Sequence, residues 1–189
     1  RAIREALDQQ VDVLLLQMDT PGGDLKTTLE MMEALDQFEG TTVTYVNTEA
    51  ISAGSYIAVA TDHIFFAPKS IIGAAEVITG TGEDVPGAMK RKIDAYMKAK
   101  VRTLSDDHRY RAAVQRAMMD PDYLLEIEGT VLKEEGELLA LTATEAVTLY
   151  GEPPVPLLGE AIAEDKESLL AMLVGEDNFT IQRFEVTWS

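Results

Sequence analysis

The stretch VDVLLLQMDTPGGDL, residues 11–25, decides the fold. Its apolar run, Val11 to Met18, is typical of a parallel strand that is covered on both faces. Turn-forming residues follow, and apolar residues then recur at helical spacing over Leu25 to Phe38. The stretch therefore predicts a strand, a glycine-rich turn and a helix, which is the repeating unit of an α/β fold.

The same unit recurs further along the chain. Thr41 to Val46 predicts a second strand, and after a short loop Ser52 to Ala60 predicts a buried helix. His63 to Ala67 predicts a third strand. Alternating strands and helices imply right-handed crossovers and a mostly parallel sheet. We therefore predict one α/β domain over residues 1–189, a length that suits a single sizeable core.

The rest of the chain predicts shorter elements on either side of these units. In chain order they are a helix over Arg1–Gln10, a mobile loop over Thr79–Gly87, helices over about Met89–Leu104 and Asp107–Met119, a hairpin over Tyr123–Leu141 turning near Glu134–Gly136, a short helix opened by the capping box Thr142–Glu145, a helix over Lys166–Leu173 and a last strand over Phe179–Val186.

The composition argues against several classes of function. The chain has 33 acidic and 16 basic residues, and its formal net charge of −17 would repel nucleic acid and an anionic membrane surface. It has no cysteine and two histidines far apart, so neither a disulfide framework nor a zinc site is expected. We predict no metal, no cofactor and no nucleic-acid partner.

Two turns are expected to meet at one edge of the sheet. Pro21-Gly22-Gly23 follows the first strand and Ser52 follows the second, and ligands bind beyond the carboxyl ends of strands in open α/β sheets. Backbone N–H groups of Gly23 and Ala53 would hold an oxyanion, while Ser52 would attack. Each feature alone is more often a tight turn or a helix N-cap, but the pair indicates acyl transfer.

A serine nucleophile also needs a base. His63 is expected at a strand edge and His108 in a solvated turn, so neither fits the role. A lysine acts as a base only when it is neutral, which requires burial in an apolar pocket. The spacing permits Lys92, on the side of Tyr96, but does not select it over Lys90.

Four segments together resemble a known family. They are LLLQMDTPGGDL (residues 14–25), AISAGSYIA (50–58), the AP and IIGAA segments within 67–75, and LTATEA (141–146). On these segments the chain is similar, over almost its whole length, to the NfeD-type membrane-associated serine peptidases, relatives of signal peptide peptidase A and of ClpP.

The resemblance implies a ClpP/crotonase-like fold with repeated ββα units and a mostly parallel sheet. It implies a Ser–Lys dyad with Ser52 as nucleophile and Lys92, ten residues before Arg102, as base; the choice between Lys92 and Lys90 depends on loop length. It also implies an oxyanion hole formed by Gly22, Gly23 and Ala53.

The expected function is an ATP-independent serine endopeptidase that cleaves apolar segments of membrane-associated or unfolded polypeptides. Ile71, Ile72 and Ile78 would line an apolar cleft, although the first two fit core packing equally well. We expect a homodimer or higher homo-oligomer and a soluble fragment of a longer, membrane-associated protein whose catalytic domain is extracytoplasmic.

Two other classes of function remain open. A crotonase-like acyl-CoA enzyme would use the same oxyanion geometry, but the negative charge and the serine at the key turn argue against it. A catalytically inactive module would instead assemble stomatin-like membrane partners, an alternative that the resemblance implies.

Overall fold

The computed structural model describes residues 2–78, 86–175 and 178–184. The helices in these ranges are α1 (Ala2–Asp8), α2 (Leu25–Asp36), α3 (Ala53–Val59), α4 (Gly87–Leu104), α5 (Arg111–Met119), α6 (Ala143–Ala146) and α7 (Lys166–Val174). The strands are β1 (Val13–Thr20), β2 (Thr41–Ile51), β3 (His63–Phe66), β4 (Ile71–Gly73), β5 (Leu125–Ile127), β6 (Thr130–Lys133), β7 (Ala140–Thr142), β8 (Leu149–Tyr150), β9 (Val155–Pro156) and β10 (Ala161–Ile162).

The long strand β2 organises the main sheet. One of its edges pairs in parallel with β1, from Val13 opposite Thr41 onward. Its first half also pairs with β3 and its second half with β4, both in parallel. Because successive parts of β2 have different neighbours, the sheet curls as it follows this strand.

The strand order is β10-β3-β2-β4-β7, with β1 paired to β2 outside this path. Strand β10 joins β3 in parallel, and the β4–β7 pair is antiparallel. The sheet is therefore mostly parallel, and the predicted α/β class with a mostly parallel sheet is confirmed.

Both faces of the main sheet are covered, as the strand composition predicts. On one face, Val43, Tyr45 and Phe65 pack against Leu169 and Leu170 of α7. Alternate residues of the same strands point to the other face, where the larger core contains buried residues of α2, α3, α4 and α5.

Helix α3 lies directly on the strands that lead into the site. A Cβ added to Gly54 would come within 2.7 Å of Thr20 Cγ2 and 3.3 Å of Met18 Sδ. Only a glycine allows this close approach, so the amino-terminal end of α3 is tied to the carboxyl end of β1.

Several predictions at the level of elements need correction. Strand β2 continues through residues 47–51, for which the sequence pattern predicts a loop. The predicted hairpin turns at Glu128-Gly129, both with positive φ, rather than at 134–136, because the later residues lead into β7. Residues 178–184 contain no strand, and the remainder of the predicted last strand lies outside the described residues.

Other predictions at this level are confirmed or remain predictions. The capping box of α6 is confirmed, with the Thr142 hydroxyl accepting from the Glu145 N–H and the Glu145 carboxylate accepting in return. The predicted mobile loop falls mainly on residues 79–85, outside the described residues. The single-domain assignment of residues 1–189 stays a prediction.

Candidate active site

Ser52 occupies the sharp turn between β2 and α3. Its backbone has φ 52° and ψ −116°, outside the regions that residues with a side chain ordinarily adopt. Such a conformation costs about 1–3 kcal/mol and persists only where its surroundings hold it. A strained strand-to-helix turn also exposes the nucleophilic serine of many hydrolases. The backbone of Ser52 is therefore the first sign of a functional site.

Hydrogen bonds hold both ends of Ser52. Its N–H donates to the Gly73 carbonyl of β4 at 3.0 Å. Its carbonyl accepts from the Ser55 N–H at 3.0 Å and from the Ser55 hydroxyl at 2.9 Å. Each bond contributes about 1 kcal/mol, so together they offset the strain. The half-buried Ser52 has no hydrogen bond from its own hydroxyl to any residue that the structure describes.

The Gly22-Gly23 turn lies against Ser52. A Cβ added to Gly22 would lie 3.2 Å from Ser52 Cβ and 3.6 Å from Ser52 Oγ, and Gly22 has φ +145°. The Thr20 hydroxyl fixes this turn because it donates to the Gly22 carbonyl at 3.0 Å and accepts from the Gly22 N–H at 3.2 Å. The two turns that the sequence places at neighbouring strand ends are thus in contact.

Two backbone N–H groups beside Ser52 are available to a ligand. The Gly22 N–H is used by Thr20, whereas the N–H groups of Gly23 and Ala53 have no acceptor within the described ranges. A Cβ on Gly23 would lie 3.6 Å from Ala53 Cβ, so the two segments adjoin. Unused donors next to a free hydroxyl are the groups that stabilise an oxyanion in acyl transfer.

Helix α4 carries the two candidate lysines on different faces. Lys90 lies on the side of the buried Met97 and Val101, and its Nζ is shielded from solvent. Lys92 is exposed, shares its side with the exposed Tyr96, and forms no ion pair with the residues that the structure describes. Of these two lysines, Lys90 is the one that points its ammonium group into the protein.

Two carboxylates surround the ammonium group of Lys90. Its Nζ lies 3.0 Å from Glu76 Oε1 and 3.7 Å from Asp94 Oδ2, so both carboxylates form ion pairs with it. Burial lowers the pKa of Lys90, but Glu76 and Asp94 outweigh it, and the net pKa lies above the ordinary value. The two carboxylates therefore favour the protonated form of the Lys90 amine.

Burial alone does not identify a base among the lysines. Lys133 is 3% exposed, yet its Nζ donates to the carbonyl oxygens of Asp120 at 3.0 Å, Pro121 at 2.7 Å and Tyr123 at 2.7 Å. These bonds tie β6 to the turn after α5. Lys133 is therefore a structural residue, away from the Ser52 turn.

A polar network lies one helical turn beyond Ser52. Gln115 of α5 donates from Nε2 to the Ser55 hydroxyl at 3.0 Å, and the Tyr56 hydroxyl donates to the Ala75 carbonyl at 3.1 Å. Burial raises the pKa of Tyr56, and the nearby Asp94 charge raises it further. Gln115 Oε1 and Asp94 Oδ1 are buried without a hydrogen-bond partner among the described residues.

Two clefts in the described structure are not lined by Ser52 or its glycine turn, although Gln115 forms part of the wall of the first. One of about 230 Å³ lies between α4 and α5 and is lined by apolar and basic side chains, and one of about 240 Å³ is mainly polar and reaches His108. Neither contains a residue predicted for the site. Within the ranges that the structure describes, no three histidine or carboxylate side chains are grouped as metal ligands would be.

Comparison with known proteins identifies the family. The NfeD1b N-terminal domain family matches residues 1–181. The chain belongs to this family. The resemblance to NfeD-type proteins that the four sequence segments indicate is thereby confirmed.

Two curated relatives of this NfeD1b N-terminal domain are membrane proteins. Membrane protein NfeD1b of Bacillus subtilis is 32% identical over 153 residues, which cover 80% of this chain and 33% of the relative. Membrane-bound protease PH1510 of Pyrococcus horikoshii is 27% identical over 131 residues, which cover 66% of this chain and 29% of the relative. The chain therefore spans about a third of the length of these relatives. None of its described helices has the length and apolarity needed to cross a bilayer.

Solved structures share the fold of this NfeD1b N-terminal domain. A lysine-to-alanine mutant of the 1510-N membrane-bound stomatin-specific protease, in complex with a substrate peptide, gives a TM-score of 0.65 at 24% identity and covers 89% of this chain and 68% of that chain. The ClpP protease catalytic domain of Plasmodium falciparum gives 0.55 at 11% identity and covers 87% and 75%. Likeness at these identities establishes a shared ClpP-like fold.

The structure brings together part of the predicted site. Ser52, Gly22, Gly23 and Ala53 adjoin one another, whereas Lys92 lies on the outer side of α4. Their catalytic roles stay predictions.

Sequence reasoning missed Glu76, Asp94 and Gln115. The i, i+4 spacing from Lys90 could have indicated Asp94, and a polar residue within the apolar pattern of α5 could have indicated Gln115. Glu76 gives no sequence signal because only the packing of α4 against the segment after β4 brings it to Lys90.

Proposed function

We propose that this chain is the catalytic domain of an ATP-independent serine endopeptidase that uses a Ser–Lys dyad. One observation carries the proposal: within the ranges that the structure describes, Ser52 offers an unbonded hydroxyl on a strained turn, beside the unused N–H groups of Gly23 and Ala53. Kinship with a protein named as a membrane-bound protease supports it. Solved structures of the 1510-N protease include serine-to-alanine and lysine-to-alanine mutants, which agrees with both residue types being of interest there.

In the proposed reaction, Ser52 Oγ attacks the carbonyl carbon of a peptide bond and a neutral lysine takes the hydroxyl proton. The Gly23 and Ala53 N–H groups stabilise the negative charge that develops on the carbonyl oxygen, and Gly22 leaves room beside them. The lysine returns the proton to the leaving amine as the peptide C–N bond breaks. Water then hydrolyses the ester to Ser52 and releases the second product.

Two lysines, Lys90 and Lys92, are candidates for the base of this dyad. The family pattern favours Lys92, whereas the direction of the side chains supports Lys90, whose ammonium group is buried on the inner side of α4. We propose Lys90 as the base, with Lys92 as the alternative that the same experiment tests. Lys90 becomes a base only after Glu76 and Asp94 release its ammonium group, since they raise its pKa.

We propose a polypeptide with an apolar segment as the substrate and a stomatin-like membrane protein as a partner. Ile71 and Ile78 are 42% and 54% exposed, so they are free to contact an apolar segment, whereas the fully buried Ile72 belongs to the core. The 1510-N relative is described as a stomatin-specific protease. The names of both curated relatives support a membrane-associated location, and we keep the extracytoplasmic side and a homodimer or higher homo-oligomer within this proposal.

Covalent labelling of Ser52 tests the proposal directly. We expect a serine-reactive phosphonate to give one adduct on the chain, mapped to Ser52 by mass spectrometry, and Ser52→Ala to abolish both the adduct and cleavage of an unstructured apolar peptide. Lys90→Met should abolish labelling, while Lys92→Met, a matched change on the same helix, should label at the wild-type rate. The reverse result assigns Lys92. Full cleavage by Ser52→Ala would refute the peptidase.

A second candidate function is favoured by the state of Lys90. Its amine is paired with two carboxylates that favour the protonated form, and Lys92 is exposed on the outer side of α4. This arrangement suits a catalytically inactive module that assembles stomatin-like membrane partners. A folded chain that binds such a partner and gives no adduct at Ser52 would favour this function over the peptidase.

A further inference from the structure

The carbonyl of Ser52 is bound twice by one neighbouring residue. Ser55 donates to it from its backbone N–H at 3.0 Å and from its hydroxyl at 2.9 Å. Because ψ sets the direction of a residue's own carbonyl, these bonds fix ψ of Ser52 at −116°. They therefore hold the conformation that leaves the Ser52 hydroxyl free.

Gln115 decides which way the Ser55 hydroxyl points. Its Nε2 group carries only donor hydrogens and lies 3.0 Å from Ser55 Oγ, so it occupies a lone pair of that oxygen. The single hydroxyl hydrogen of Ser55 is then left for the Ser52 carbonyl. Both Ser55 and Gln115 are 0% exposed, so water does not compete for these groups.

The stability of the fold alone does not explain why residue 115 is a glutamine. Its Oε1 is buried and has no hydrogen-bond partner among the described residues, and a buried polar atom without a partner is a cost to the folded state. The neighbouring side chains of α5, Val114 and Met118, are fully buried and apolar. An apolar side chain of similar length would fill the same space without that cost.

We propose that Gln115 and Ser55 are positioning residues for the Ser52 nucleophile. Gln115 orients the Ser55 hydroxyl, and Ser55 holds the Ser52 carbonyl, so helix α5 controls the reactivity of Ser52 through two hydrogen bonds. This inference rests on the proposed peptidase function. In this inference Gln115 and Ser55 affect only the geometry of Ser52, because neither side chain takes part in proton transfer.

The two hydrogen bonds from Gln115 to Ser55 and from Ser55 to Ser52 form a relay. Three variants test this relay: Gln115→Met, Ser55→Ala and the double variant. Each single change should lower kcat and the rate of phosphonate labelling about tenfold, with KM within about twofold, because the Ser52 carbonyl is held less firmly while substrate contacts remain. The double variant should lose little more than either single variant, since both break one chain of bonds. Gln115→Met should unfold at the same or a higher denaturant concentration than the wild type.

Thr44 and Thr61 provide the matched control. Their hydroxyls form a buried hydrogen bond at 3.0 Å without contacting Ser52. Thr44→Val should leave kcat and labelling within about twofold of the wild type, whatever it does to stability. If Gln115→Met instead behaves like Thr44→Val in rate, or lowers stability without changing kcat, the relay is refuted.

A chemical-shift measurement on the backbone tests the relay even if the chain shows no peptidase activity. The ¹³C chemical shift of the Ser52 carbonyl should move in Ser55→Ala and, in the same direction but less, in Gln115→Met, while Thr44→Val leaves it unchanged. An unmoved carbonyl signal in both relay variants overturns the inference. Absence of an adduct on the wild-type chain would instead refute the proposed function, and the carbonyl shifts would still decide the relay.

Discussion

The two halves of the candidate dyad differ in how ready they are to react. On the serine side, both backbone groups of Ser52 are bonded, its hydroxyl has no hydrogen-bond partner among the described residues, and the glycine turn touches it. On the lysine side, Lys92 is exposed and Lys90 is paired with Glu76 and Asp94. Ser52 is thus prepared for its proposed role as nucleophile in this structure, whereas neither lysine is prepared for the proposed role of base.

The difference comes from how each half is built. The serine side is assembled from short turns at the ends of β1 and β2, whose parallel pairing brings the turns together. The lysine side depends on α4, whose first turn follows the segment 79–85 and is fixed by contacts with the segment after β4 and with its own next turn. If Lys90 is the base of the proposed dyad, its release from Glu76 and Asp94 must precede proton transfer.

The pH dependence of labelling should show the largest effect. If Lys90 is the base, only its neutral form assists Ser52, and that fraction rises about tenfold per pH unit below the pKa. Since the pKa of Lys90 lies above 10.5, labelling should rise roughly 10³-fold from pH 7 to pH 10, after correction for reagent hydrolysis. Lys90→Met should lack this rise. A plateau near neutral pH would contradict the paired state of Lys90.

Gly22→Ala tests the prepared side of the comparison. The new Cβ would lie 3.2 Å from Ser52 Cβ, so we expect labelling and kcat to fall roughly 10²-fold, as when one oxyanion donor is removed. Gly136→Ala is the matched control, because Gly136 also has positive φ but has no atom within 4 Å of an added Cβ. Both variants should lose about 1 kcal/mol or more of stability from backbone strain. If Gly22→Ala and Gly136→Ala have equal kcat and labelling rates, the glycine turn is not part of the active site.

Arg111→Met tests how far the rigidity of α3 supports Ser52. The buried guanidinium donates to the carbonyl of Val59 at the end of α3 and to those of Thr61 and Asp62 just after it, and burial lowers the pKa of Arg111 to about 10. Its loss leaves these carbonyls unpaired, so the free energy of unfolding should fall by about 3 kcal/mol in urea titrations.

The control for Arg111→Met is Arg116→Met on the same helix. Arg116 is half exposed, pairs with Asp120 and lies over the Tyr123 ring, so its loss should cost less than about 1 kcal/mol. Labelling per folded molecule should change less than about threefold in both variants, because Arg111 contacts the end of α3 remote from Ser52. A large drop in labelling for Arg111→Met would show that the whole helix positions the nucleophile.

The fold class and the contact between the Gly22-Gly23 turn and the Ser52 turn were predictable because short segments of sequence carry the signals for them. An unbroken apolar run such as Val11 to Met18 indicates a strand that is covered on both faces, and parallel strands place their carboxyl ends together. The hairpin turn was wrongly placed at 134–136, since turn-forming residues are also compatible with the loop that leads into β7.

The sequence by itself determined the α/β fold, the family and the neighbourhood of Ser52, because periodicity and turn chemistry act over a few residues. Only the tertiary structure decided which lysine points inward, that Glu76 and Asp94 hold it, and that Gln115 reaches Ser52 through Ser55. These contacts join residues 14 to 60 positions apart, or depend on the rotation of α4 against its neighbours. Packing of whole elements fixes such contacts, and no local pattern encodes them.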